Sequence, residues 1–244
     1  MSEEKINKDN INEDEVNEDD ISEDIGPLLK EWKEDPDSGI IRKIVGLDGK
    51  EKIQVRVQFG LLQLEADGRP DGKRPYGHES LLEHFLSLLE DCKRKYGTDE
   101  DFELDSHDCE KLREESMQYY HRYVSLFELG DYHRAERDTA RNLRALDLIK
   151  NYAEHEDDAY SLERYRPYIT MMNARAKAFI HRDNNDYAKA IDCINEAIES
   201  ITDFYMENEV GDEQMEESQE LAVLRAEAKE IRDEWEGIVT GEDR

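Results

Sequence analysis

Seven cations in this chain have types and spacings that suit chemistry. Four of them, Arg134, Arg137, Arg141 and Arg144, recur at helical intervals after Asp131. At about 100° per residue they fall within roughly 80° of one another. The less polar positions Tyr132, Ala135, Thr139, Leu143 and Leu146 lie roughly opposite. An arginine stripe facing solvent in an acidic protein is suited to grip carboxylates or phosphates. The alternative is intramolecular pairing, with neighbours such as Glu136 and Asp138 or with the acidic segments. The other three cations, Arg69, Lys73 and Arg74, stand in the loop Arg69–His78 beside one acid, Asp71. That loop holds two of the five prolines and two of the thirteen glycines. Backbone amides and cations there suit an anion. It has neither the phosphate-loop nor the dinucleotide spacing. Its alternative role is a stiff connection whose cations lie against the acidic body.

Other chemistry is not signalled. His78 and His84 are six apart, and His107 and Cys109 two apart, so no histidine pair has the zinc-hydrolase spacing. No serine nucleophile elbow and no CxxC pair occurs. We therefore expect no catalytic residue, no metal and no cofactor, and a protein that is not an enzyme.

The totals narrow the class. In 244 residues, 39% are charged and 37% hydrophobic, which suits a thin helical array or a chain with disordered ends. A net charge of −30 disfavours general affinity for nucleic acid or anionic membrane. Cys92, Cys109 and Cys193 are scattered and odd in number, as expected of reduced thiols in a cytoplasmic protein. No apolar run approaches the ~18 residues of a membrane span.

The elements follow from spacing. Residues 1–26 carry eleven acids and two lysines around Ile6, Ile11, Val16 and Ile21, a five-residue period that matches neither helix nor strand. A disordered acidic tail is expected. A short helix from Leu28 to Glu34, anchored by Trp32, should end before Pro36. Ile40–Val45 and the alternating Ile53, Val55, Val57 and Phe59 flank the hairpin turn Asp48–Gly49. After Gly60 the parity changes, with Leu62, Leu64 and Ala66 apolar; a kink or a third strand would restore one buried face. Ser80–Lys95 predicts a helix burying Leu81, Leu82, Phe85, Leu88 and Leu89, stopped by Gly97. Residues 27–98 thus form a small α+β module. From Asp105 to about residue 238 the spacing predicts helices: to Leu129, 132–153, Ser161–Arg182 with Pro167 in its first turn or at a kink, one after Asp186, and Gln219–Ile238. The acidic run Glu207–Glu220, with seven acids and no cation, is expected to be a mobile loop over about 207–218.

Two junctions match: Gly130-Asp131-Tyr132-x-x-Ala135 and Asn185-Asp186-Tyr187-x-x-Ala190. This pattern resembles the tetratricopeptide repeat over about 106–205. The copies are 55 residues apart where the repeat has ~34, and Tyr123 and Asn142 replace its small residues. The stretch around 53–84, within IQVRVQFGLLQLEADGRPDGKRPYGHESLLEH, resembles bacterial proteins that join such a module to tetratricopeptide-like helices and often to a UVR motif. Glu227–Asp233 is similar to that motif's second helix alone. These resemblances imply a mainly α fold: a tetratricopeptide-like antiparallel array after a β-hairpin and helix. They imply a scaffold or adaptor for a protein or peptide partner. The alternative is an accessory factor in DNA repair or stress response.

Overall fold

The computed structural model describes residues 24–32, 39–58 and 60–240. The expectations for the acidic repeat of residues 1–23, for Pro36 and for Phe59 lie outside them. The chain is mainly helical, with a small three-stranded antiparallel sheet ahead of most of the helices.

Helix α1 (Gly26–Glu31) begins with Pro27 in its first turn, where no hydrogen bond is lost. Strands β1 (Ile41–Val45), β2 (Glu51–Val57) and β3 (Gly60–Glu65) follow in sheet order. Gly49, at φ 71°, makes the tight turn between β1 and β2. The parity change at Gly60 is a turn into a third strand. Gly60 pairs with Val57, so Leu62 opposes Val55 and Leu64 opposes Ile53 on one face. That face, with Ile41 and Ala66, packs on Leu126, Ala135 and Ala176 of the helices. The other face carries a polar ladder. Arg42 Nε donates to Gln54 and Gln54 Nε2 to Gln63, each at 2.9 Å. Trp32 covers it, with the Arg42 guanidinium 4.1 Å above the indole.

Helix α2 (Leu81–Tyr96) is capped by Ser80, whose hydroxyl accepts from Glu83 N, and it ends at Gly97 with φ 77°. Leu88 is 42% exposed, which corrects its expected place on the buried stripe. Leu81, Leu82, Phe85 and Leu89 pack with Leu104, Cys109, Leu112, Ala145, Leu148 and Ile149. The sheet and α2 therefore belong to separate cores, each completed by the helical array. The side-chain clusters run across the expected division between 27–98 and 105–238.

Helices α3 (Ser106–Glu128) and α4 (Tyr132–Tyr152) form one hairpin, α6 (Arg166–Asp183) and α7 (Tyr187–Glu207) the next. Their junctions share one geometry. Gly130 and Asn185 are left-handed, at φ 72° and 60°, and Asp131 and Asp186 accept from the amides of Arg134 and Lys189. Ala135 and Ala190, at 1% and 0% exposure, permit close crossing. Between the hairpins lie α5 (Glu156–Tyr160) and a 3-10 turn (Glu163–Tyr165), so the third long helix starts at 166, not 161, with Pro167 in its first turn. The 207–220 run is no simple loop. It contains α8 (Asp212–Glu216), and Ser218 accepts from Leu221 N at the start of α9 (Gln219–Thr240). The array packs in the order α3, α4, α6, α7, α9.

Candidate functional site

All four arginines of α4 pair within the chain, the intramolecular alternative, and Arg144 alone among them is exposed, so the solvent-facing stripe is not formed. Arg134 donates to Asp67 at 2.8 Å and to Glu51 at 2.6 Å, both in the sheet region. These bonds hold the Asp67 carboxyl below the usual carboxylate range, Arg134 contributing most. Arg137 reaches Asp67 at 2.6 Å and the Ala66 carbonyl at 3.0 Å. Arg141 is buried on Glu115, with Asn142 Oδ1 at 2.9 Å and Tyr119 beneath its guanidinium at 4.2 Å. Arg144 is exposed and holds Glu83 of α2 at 3.1 Å. The stripe is a seam joining α4 to the sheet and to α2.

The Arg69–His78 loop divides. Its base is locked. Arg69 pairs with Glu115 at 3.0 Å, and the same carboxylate, with no solvent exposure, accepts from Leu81 N at 2.8 Å and Leu82 N at 3.2 Å. Glu115 thus compensates the orphan amides and positive end of α2. Nearby, Arg122 and Asp138 form a bidentate pair at 2.6 and 2.9 Å, and Arg122 also holds the Glu65 carbonyl at 2.9 Å. The tip is open. Lys73 and Arg74 are exposed and make no ion pair among the described residues. Tyr76 is left-handed at φ 51°, and its ring stacks 4.2 Å from His84.

A separate cleft of about 450 Å³ opens in the array. Its walls are Met117, Tyr120 and Tyr123 of α3, Leu146 of α4, Leu162 and Tyr165 of the 3-10 segment, Tyr168 and Ile169 of α6, and the first turn of α9. Met117, Tyr120 and Tyr165 are 50%, 36% and 40% exposed, so the lining is accessible. Tyr120 meets Tyr123 edge-on at 5.5 Å and faces Tyr168 at 6.2 Å. Burial pushes the Tyr168 phenol up, so it stays a neutral donor. Three charges line the cleft. Arg113 is neutralised by Asp158 at 2.8 Å. Arg164 lies over Tyr165 and donates to its hydroxyl at 2.7 Å. Glu220 accepts from Ser218 at 3.0 Å and Tyr205 at 3.4 Å. Tyr123 and Asn142, which stand where the tetratricopeptide repeat has small residues, both line it. Their size is the one sequence signal that could have pointed here. Larger grooves of about 580 and 560 Å³ lie at the last turns of α9 and along the carboxylates Glu196, Glu199, Asp203 and Glu207.

Other chemistry finds little support among the described residues. No group of three or more His, Cys, Asp or Glu could hold a metal ion. Burial pushes the Cys109 thiol up to about 11, far from a reactive thiolate. No helix is long and apolar enough to cross a membrane. Glu227, in the UVR-resembling segment, is buried and bonded to Arg175 at 3.0 Å, so this stretch is part of the α9 packing surface. Comparison of the chain with protein-family models, curated proteins and solved structures finds no match.

Proposed function

We propose that the chain is a non-enzymatic interaction scaffold or adaptor whose tetratricopeptide-like helices hold a segment of a protein partner. The observation that supports this is the tyrosine cleft. It is concave, predominantly apolar and furnished with a few polar groups, the usual make-up of a recognition pocket. Tyrosine supplies large contact area at low entropy cost and a hydroxyl for orientation. The walls come from α3 and α6, the first helices of the two hairpins, with α4, the 162–165 segment and the start of α9 completing them. Stacked hairpins present such layers as a continuous binding surface.

Selection of displayed random peptides on the full chain tests it. Peptides carrying aromatic or aliphatic anchors should be enriched, and Tyr120→Ala/Tyr165→Ala should weaken them roughly tenfold or more while circular dichroism is unchanged. No enrichment, or binding indifferent to both substitutions, would remove the proposal.

A further inference from the structure

We infer that the segment seated in the tyrosine cleft is basic: an aliphatic or aromatic anchor flanked by lysine or arginine. This rests on the adaptor reading and adds the partner's charge. The cleft itself is close to neutral, because Arg113 is spent on Asp158, leaving one cation, Arg164, and one anion, Glu220, in the lining. Its surroundings are not. The wall bearing Leu162, Arg164 and Tyr165 follows directly on residues 154–158, where Glu154, Glu156 and Asp157 are exposed. Glu220, another lining residue, ends the 207–220 run, whose Glu209, Asp212, Glu213, Glu216 and Glu217 are also exposed. None of these eight carboxylates forms an ion pair among the described residues. The nearby cations Lys150 and Arg166 are already held by Glu163. An incoming chain therefore meets an apolar slot two of whose lining stretches, 162–165 and Glu220, each continue in sequence into an uncompensated anionic arm. Basic flanks gain from both arms, and acidic flanks are repelled by both. The anchor must be compact, since about 450 Å³ accommodates one or two large side chains.

The experiment uses the full chain and three peptides sharing a central Leu-Trp-Leu, with flanks of lysine, glutamine or glutamate. Fluorescence anisotropy should give the order lysine, glutamine, glutamate, with lysine roughly tenfold tighter than glutamine at low salt and the gap closing at high salt. Glu213→Gln/Glu216→Gln/Glu217→Gln should remove most of that gap, and Tyr120→Ala/Tyr165→Ala should weaken all three peptides. Glutamate flanks binding as well as lysine would overturn the inference and leave the cleft reading standing. Lysine-flanked binding that ignores the tyrosine substitutions would overturn it as mere charge attraction. Silence from all three peptides would overturn both. A dimer in sedimentation that the tyrosine substitutions dissociate would give the cleft to a second copy, and that too overturns it.

Discussion

Glu115 sits with no solvent exposure and accepts from three donors at once, two amides of α2 and Arg141, while also forming an ion pair with Arg69. Removing one partner of such a set strands the others, which typically costs about 3–5 kcal/mol. Glu115→Ala should therefore lower stability by that order in urea unfolding. It should also free the 69–78 loop, so that limited trypsin cuts at Lys73 faster than in the native chain. An unchanged cleavage rate would detach the loop from Glu115. His84 offers a pH test. Burial, and then His78 beside it, hold its pKa below the ordinary histidine value, and its buried Nδ1 has no hydrogen-bond partner. The fold prefers it neutral, so the stability it contributes is complete above about pH 6.5 and is lost as pH falls through the lowered folded value. His84→Gln should flatten the stability profile of the native chain between neutral pH and pH 5. Identical profiles would clear His84. Little of this residue scale was legible beforehand. Arg134 bonds to Asp67 and Glu51, and Arg141 to Glu115, partners 26 to 83 positions away. A helical wheel drawn on α4 alone sees only α4.

Elements read better because their causes are local. The period of Tyr187, Ala190, Ile191, Ile194 and Ala197 gave α7, and those side chains are buried. Asp48–Gly49 gave the hairpin turn, and Ser80 with Gly97 gave both ends of α2. Ile194, with no exposure, should lose about 2–5 kcal/mol of stability on substitution by alanine. Gly130 has open space around a would-be Cβ but needs φ 72°, so Gly130→Ala tests backbone conformation alone. It should cost about 1–2 kcal/mol in thermal or urea unfolding. A neutral result would mean that the α3–α4 junction relaxes out of the left-handed geometry it shares with Asn185.

At the scale of the whole molecule, the sheet and α2 do not share a core. Ile53 packs beneath Leu126 and Ala176, whereas Leu82 and Phe85 pack beside Leu112 and Ile149. The succession of a short helix, strands and the Ser80–Lys95 helix suggested a module at 27–98, since from Asp105 the pattern is helical throughout. Which surface covers which could not be read, because it depends on contacts across the chain. Residues 27–98 expressed alone should consequently be unfolded by circular dichroism, and a cooperative transition would restore an independent module. The cleft was equally hidden, being assembled from four stretches between Arg113 and Glu220. Its role as the partner site is the central claim. The most direct measurement is hydrogen exchange of the full chain with and without a selected anchor peptide. Binding in the cleft predicts protection over 113–123, 142–146 and 162–169. Protection confined to the 69–78 loop or to the last turns of α9 would contradict it.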